Sequence, residues 1–165
     1  MKSIQAIPAK IITLDALMQQ ATRWRLQNKK IVFTNGVFDI LHEGHIASLS
    51  EAASYGDVLV VGVNADDSVK RLKGPDRPIN SEQARALMLA SLLMTDAVIL
   101  FNEDTPLNLI TALLPEVLVK GGDYTVDQIA GAKEVLAAGG DVKIAQIVAG
   151  ISTTSIIEKM KTLQV

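Results

Sequence analysis

Residues 30–45 read Lys30-Ile-Val-Phe-Thr-Asn-Gly-Val-Phe-Asp-Ile-Leu-His-Glu-Gly-His45, a sequence that passes from strand to helix. The first five residues are rich in β-branched and aromatic side chains and run into Asn-Gly, so they predict a strand that ends at a turn. The segment from His45 to Ala53 has the apolar spacing of a helix. A short apolar strand that leads through a turn into a helix is typical of the βαβ unit of parallel sheets.

The same alternation continues along the chain. The later strands are almost continuously apolar, as expected for a parallel sheet that helices cover on both faces. We therefore predict an α/β fold, a Rossmann-like doubly wound five-stranded parallel sheet. The further strands are predicted at 57–63, 97–101, 116–119 and 142–147, and the helices between them at 67–72, 81–93, 106–114 and 130–138.

An extra amphipathic helix is predicted at 13–27, before the first strand. It could pack on the sheet or on a second subunit. We expect one domain overall, with residues 1–29 as a helical extension and residues 30–165 as the main unit. A capping box of Asn80 and Gln83 is predicted to start the helix at 81–93.

Composition excludes several classes of protein. The 165 residues are 48% apolar and 21% charged with a net charge of −2, which indicates a globular protein without the basic excess of a nucleic-acid binder. The apolar stretches are too short to cross a membrane, and the first residues lack a signal peptide's apolar segment, so a cytoplasmic protein is expected. Without any cysteine, disulfides, thiolate nucleophiles and cysteine-based metal sites are excluded.

The chain's two histidines, His42 and His45, lie at the predicted start of the first helix after the first strand. With this spacing, both imidazoles can project to one side, where the free N–H groups of the helix also point. Gly44 between them allows a ligand to approach the backbone, so the segment predicts a polyphosphate site. The alternative is a chance pair of surface histidines. The turn matches neither a dinucleotide fingerprint nor a P-loop, and its spacing differs from that of a zinc protease.

The segment His42-Glu-Gly-His45 resembles the HxGH signature of the cytidylyltransferase-like nucleotidyltransferase superfamily. A second resemblance lies in Gly150-Ile-Ser-Thr-Thr-Ser-Ile-Ile, which is similar to the motif at the start of that family's last helix. The hydroxyls and free N–H groups of residues 152–154 suit phosphate oxygens, whereas a plain helix cap is the alternative.

Two further segments are Arg71-Leu-Lys-Gly-Pro-Asp-Arg-Pro-Ile-Asn80 and Val119-Lys-Gly-Gly-Asp-Tyr124. Both resemble the corresponding segments of ADP-heptose synthases, in their heptose 1-phosphate adenylyltransferase domain. Glycerol-3-phosphate cytidylyltransferases usually read otherwise here, and they often carry an arginine where this chain has Ile147-Val-Ala-Gly. Bifunctional members of the family carry a sugar kinase domain as well. Because 165 residues leave no room for that domain, the chain is expected to resemble the stand-alone transferase.

The resemblance implies transfer of AMP from ATP to a sugar 1-phosphate, D-glycero-β-D-manno-heptose 1-phosphate, which gives ADP-heptose and pyrophosphate. Mg²⁺ is expected to arrive with ATP, a separate sugar kinase is expected upstream, and a homodimer is expected, without nucleic-acid or membrane partners. A glycerol-3-phosphate cytidylyltransferase and a non-catalytic nucleotide-binding module are the alternatives.

Candidate site residues follow from the motifs and the resemblance together. Basic side chains surround Gly74-Pro75 in a loop suited to closing over phosphates, namely Lys70, Arg71, Lys73 and Arg77. The alternative is a solvated charge cluster. Catalytic roles are predicted for His42, His45 and Lys73. Nucleotide contacts are predicted for Thr34, Asn35, Gly36, Phe38, Gly44, Gly121, Asp123, Ser152, Thr153 and Thr154. Acceptor contacts are predicted for Asp39, Arg77 and Arg85, with a loop-structuring aspartate and a surface arginine as alternatives, and no metal ligand is predicted.

Overall fold

The computed structural model describes residues 3–122, 124–146 and 152–162, and a five-stranded parallel sheet lies at its centre. The strands are β1 (Ile31–Gly36), β2 (Val58–Asn64), β3 (Ala97–Phe101), β4 (Val117–Gly121) and β5 (Asp141–Ala145). They are hydrogen-bonded in the order β3-β2-β1-β4-β5. The predicted doubly wound parallel sheet is therefore confirmed, while Ile147, the predicted end of the last strand, lies outside the described residues.

Seven helices are described, together with 3₁₀ turns at Pro8–Lys10 and Val126–Gln128. The helices are α1 (Leu14–Leu26), α2 (Glu43–Ala53), α3 (Asp66–Lys73), α4 (Glu82–Ala90), α5 (Leu107–Leu113), α6 (Ala132–Ala137) and α7 (Thr153–Thr162). In the part of the chain that is described, none of the helices has the length and apolarity that a membrane span requires.

The central strand β1 has β2 on one side and β4 on the other. Thr34 at the end of β1 is in register with Val61 of β2 and with Val119 of β4. Because the chain winds outward in opposite directions from β1, the crevice beyond the ends of β1 and β4 is the topological switch point, where ligands of such sheets bind.

Each face of the sheet has its own apolar core. Ile31 and Phe33 of β1 face one core, which α1, α5 and α6 cover, whereas Val32 faces the other, which α2 and α4 cover. This follows from the strand geometry, in which successive side chains point to opposite faces. Leu17 and Trp24 bury α1 in the first core, so this helix packs on the sheet, the first of the two predicted arrangements.

The predicted capping box at the start of α4 is wrong. Ser81 is the N-cap, and its side chain accepts a hydrogen bond from the Ala84 N–H group. The Asn80 side chain instead donates to the backbone carbonyl of Asp39, 2.6 Å away. A contact distant in sequence therefore outcompetes the local cap.

Candidate active site

Two adjoining clefts open at the carboxyl ends of β1 and β4. The first, which we name the strand-end cleft, has a volume of about 350 Å³ and is lined by Asn35, Lys73, Pro106, Lys120, Tyr124 and Ile129, among others. The second, the histidine cleft, has a volume of about 280 Å³ and is lined by Phe38, His45, Lys73, Arg77, Thr153 and Thr154, among others. Val37 and Lys73 line both clefts, so Lys73 lies at their junction.

The two histidines are stacked at the start of α2. Their ring centroids are 3.8 Å apart with an angle of 26° between the ring planes. His42 is the N-cap residue in an extended conformation, and its carbonyl accepts the His45 N–H group at 2.9 Å. One turn of backbone therefore places both imidazoles beside a helix N-terminus, where negative charge is stabilised.

Burial keeps both imidazoles neutral at neutral pH. Desolvation, together with the neighbouring His42, lowers the pKa of His45 to about 4. Desolvation also lowers the pKa of His42, against an opposing effect of Glu43. The Nδ1 atoms of both rings are buried without a partner among the described residues, so the Nε2 atoms remain to exchange hydrogen bonds with a ligand.

The pKa of His45 predicts a loss of stability in mild acid. The ordinary value is 6.5 and the folded value about 4, so between them the unfolded chain binds more protons than the folded one. Stability therefore rises with pH across this window and is lost as pH falls through it. When the pH is lowered from about 7 to about 5, the free energy of unfolding should fall less in His45→Gln than in wild type. Urea unfolding at both pH values measures this difference. Equal losses in the two proteins would contradict the shifted pKa.

Phe38 gives the histidine cleft one of its walls. Its φ of 50° lies in the left-handed region, which is uncommon for a bulky residue, and its ring meets His45 edge-on with a centroid distance of 5.2 Å. A Cβ atom at Gly36 would lie 3.0 Å from the same ring. Glycine at this position therefore leaves room for the ring that supports His45.

Asp39 anchors the loop that follows α3. Its side chain is 1% exposed, and its carboxylate accepts hydrogen bonds from the Arg77 Nε–H at 2.6 Å and the N–H groups of Ile79 and Asn80 at 2.8 and 2.9 Å. Burial acts to raise the pKa of Asp39, but the bonds from Asn80, Ile79 and Arg77 together hold it below its ordinary value. The carboxylate thus holds residues 77–80 against the first turn, and its predicted contact with the acceptor stays a prediction.

Arg85 differs from its predicted position. Its side chain is fully buried, and Arg85 is absent from the linings of both clefts as far as the structure describes them. The guanidinium donates to the carbonyls of Val37 and Asn80 at 2.7 and 3.0 Å and to the Asp66 carboxylate at 2.8 Å. Because the side chain has no exposed surface in this structure, we propose a positioning role for Arg85, while its predicted contact with the acceptor stays a prediction.

The structure separates the basic residues around Gly74-Pro75. Lys73 lines both clefts and Arg77 lines the histidine cleft. Arg71 instead donates to the Asp104 carboxylate at 2.7 Å, and Lys70 forms an exposed ion pair with Asp67 of its own helix. Among the described residues, Lys73 and Arg77 are therefore the members of this group that line a cleft.

The predicted nucleotide-binding residues are brought together in part. Asn35 and Gly36 line the strand-end cleft, while Phe38, Thr153 and Thr154 line the histidine cleft. The Ser152 hydroxyl accepts the Ser155 N–H at 3.1 Å, as a helix cap does. The remaining predicted contacts stay predictions: Thr34, Gly44 and Gly121 line neither cleft in the described part of the chain, and Asp123 lies outside the described residues.

Lys120 is a cleft residue that the sequence analysis did not single out. Its Nζ donates to the Asn35 side-chain oxygen at 3.3 Å and lies 5.6 Å from the centre of the Tyr124 ring. The available signal was a lysine directly before Gly121-Gly122 at the end of an otherwise apolar strand.

A parallel sheet of this order with a divided, basic cleft at its switch point is the arrangement found in many nucleotide-binding α/β proteins. A family model described as cytidylyltransferase-like matches residues 33–159, and the chain belongs to this family. It is accordingly an enzyme of the nucleotidyltransferase class.

Curated relatives agree with the family. The chain is 52% identical over 158 residues to the bifunctional protein HldE of Koribacter versatilis and 56% identical over 154 residues to that of Hyphomonas neptunium. These matches cover 96% and 93% of the chain but 32% of each relative. The chain therefore spans about a third of the length of these relatives.

Solved structures share the fold. The lipopolysaccharide core biosynthesis protein from Thermoplasma volcanium is 33% identical, with a TM-score of 0.58 and coverage of 73% of this chain and 97% of that one. A pantoate-beta-alanine ligase from Francisella tularensis also has a TM-score of 0.58, with coverage of 94% and 78%. At 15% identity, the second likeness shows the fold alone.

Proposed function

We propose that the chain transfers AMP from ATP to D-glycero-β-D-manno-heptose 1-phosphate, which gives ADP-heptose and pyrophosphate. The position of Lys73 at the junction of the two clefts carries the chemical part of this proposal. It supplies a cation where a nucleoside in one cleft and phosphates in the other would meet. The similarity to HldE proteins and the segments at 71–80 and 119–124 support the choice of substrates.

The two clefts suit different parts of the donor. The strand-end cleft combines apolar side chains such as Pro106 and Ile129 with the Tyr124 ring, which suits a flat nucleoside. The histidine cleft presents Arg77, two threonines and the start of α2, which suit phosphate oxygens. The α-phosphorus is therefore proposed to lie near Lys73 and His45.

The reaction needs alignment and charge neutralisation. The second pKa of a phosphate monoester is about 6, so the attacking oxygen is already an anion at neutral pH and needs no general base. This oxygen forms a bond to the α-phosphorus as the bond from that phosphorus to the bridging oxygen of pyrophosphate breaks. Neutral His42 and His45 donate through Nε2 to oxygens that gain charge, and Lys73 neutralises the same region.

Mg²⁺ is proposed to enter with ATP. Among the described residues, no group of three or more histidine or acidic side chains is placed to hold a metal ion. We propose that the ion is held mainly by phosphate oxygens and water, as Mg²⁺ commonly is in nucleotide enzymes. When bound, the ion would neutralise charge on the leaving pyrophosphate.

The remaining partners are also proposals. A separate sugar kinase would supply the sugar 1-phosphate in the cytoplasm, and the enzyme would act as a homodimer. Light scattering during gel filtration tests the dimer, because a monomer at assay concentrations would contradict it.

Pyrophosphate release tests the substrate assignment. ATP and CTP are each combined with D-glycero-β-D-manno-heptose 1-phosphate and with glycerol 3-phosphate at saturating Mg²⁺. We expect kcat/KM for ATP with the heptose phosphate to exceed the other pairs by about 10², because a site that pairs with one base leaves buried polar groups unmatched by another.

The double variant His42→Ala/His45→Ala, purified identically, controls for contaminating activity. Faster turnover of CTP with glycerol 3-phosphate would overturn the substrates and retain the transfer chemistry. Nucleotide binding without pyrophosphate release from any pair would contradict the transfer itself.

A further inference from the structure

Lys120 lies where β4 and β1 meet at the floor of the strand-end cleft. The preceding residue, Val119, is in register with Thr34, so Lys120 comes beside Asn35. The Lys120 Nζ donates to the Asn35 side-chain oxygen at 3.3 Å, and the Tyr124 ring lies 5.6 Å away. The amide and the ring together fix the direction of the amine.

Within the part of the chain that the structure describes, the contacts of the Lys120 ammonium group leave donors for a ligand. Among the described residues, no carboxylate oxygen lies within 4.0 Å of its Nζ, and the Asp104 carboxylate in the same cleft is bound by Arg71. An ammonium has three donors, and the described contacts include one neutral amide acceptor. Burial lowers the pKa of Lys120, which reflects the cost of holding this charge away from water. An acceptor atom of a ligand would reduce that cost.

Its place in the clefts distinguishes Lys120 from Lys73. Lys73 is exposed and lines both clefts, whereas Lys120 lines the strand-end cleft and is absent from the lining of the histidine cleft as far as the structure describes it. The cleft that Lys120 lines combines the Tyr124 ring and apolar side chains such as Ile129 with polar side chains such as Asn64, Asp104 and Gln128. These surroundings suit a nucleoside better than a chain of phosphates.

We propose that Lys120 is a nucleoside-recognition residue, whose amine, oriented by Asn35, donates a hydrogen bond to an acceptor atom of the donor's base or ribose. This inference rests on the proposed function, because it takes the strand-end cleft as the nucleoside site. It assigns Lys120 to ground-state binding, apart from the groups that act on the reacting phosphorus.

Calorimetric binding of AMP, ATP and inorganic tripolyphosphate to Lys120→Met tests the proposal. AMP and ATP share the nucleoside, so both should bind about 10 to 100 times more weakly, while tripolyphosphate should bind as to wild type. KM for ATP should rise by a similar factor with kcat nearly unchanged, as for an interaction equally strong in ground and transition states. The matched control is Lys133→Met, an exposed position on α6, which should leave all three affinities unchanged.

A loss that is larger for ATP than for AMP, or one that extends to tripolyphosphate, would overturn the assignment to the nucleoside. Unchanged AMP affinity in Lys120→Met would also overturn it, and normal turnover in the four-pair assay would then leave the proposed function intact. Lys120-dependent AMP binding without turnover of any pair would contradict the proposed function while supporting this inference. If Lys120→Met melts below the assay temperature, Lys120→Arg takes its place in the test. This variant keeps the charge but moves the donors, so it should still weaken the binding of AMP by about threefold.

Discussion

Alanine at His42 or His45 should lower kcat by about 10² to 10³, with a much smaller change in KM for ATP. The stacked imidazoles lie beside the start of α2, and both are neutral, so each can donate from Nε2 without carrying a charge. A hydrogen bond from such a donor is strongest when charge grows on the phosphate oxygens in the transition state. Its loss should therefore lower kcat and change KM little. Single-turnover measurement of pyrophosphate release would separate this step from product release.

The matched control is Ser50→Ala, which removes a hydroxyl group from an exposed position on the same helix. It should leave kcat within about twofold of wild type, as expected for a surface substitution away from the site. If both single histidine variants keep kcat within about threefold of wild type, the histidines have no role in the transition state. Since the rings touch, their effects should also be less than additive in the double variant.

The fold could be predicted because its signals are local. The first four strands are mainly apolar runs that are too short for helices, and the segments between them have helical spacing, so this alternation indicated a parallel sheet. The edge strand β5, which carries Asp141 and Lys143, gives a weaker signal. The histidine pair was visible for the same reason, since its spacing and its place at a helix start lie within one stretch of sequence. Lys73 was found through its basic neighbours beside Gly74-Pro75, and the structure places it at the junction of the clefts.

The residues that sequence analysis missed or misplaced depend on contacts between distant segments. Lys120 lies in a cleft because β4 pairs with β1, and a lysine at a strand end carries no local sign of that neighbour. Arg85 looked like a surface charge or a ligand contact, since most helical arginines are exposed. Its burial follows from acceptors on three separate segments, at Val37, Asp66 and Asn80, which no spacing in the sequence relates.

Methionine at Arg85 should lower the free energy of unfolding by about 3 kcal/mol or more, measured by urea unfolding. Its apolar chain would fill much of the space, but the carbonyls of Val37 and Asn80 and the Asp66 carboxylate would lose their shared donor. Three partly buried acceptors that lose their donor together cost more than a single hydrogen bond contributes. Arg23→Met, at an exposed position on α1, is the matched control and should change stability by less than about 0.5 kcal/mol.

Lysine at Arg85 separates a positioning role from contact with the acceptor. Arg85→Lys keeps the positive charge but cannot reach three acceptors with a planar fork, so we expect an intermediate loss of stability and a reduced kcat. The activity loss should come from the loop at 77–80 and the turn at Val37, which the guanidinium holds together beside the histidine cleft. KM for the sugar phosphate should therefore change no more than KM for ATP. A selective rise in KM for the sugar phosphate, without any loss of stability in either Arg85 variant, would instead support the direct contact with the acceptor that the sequence predicts.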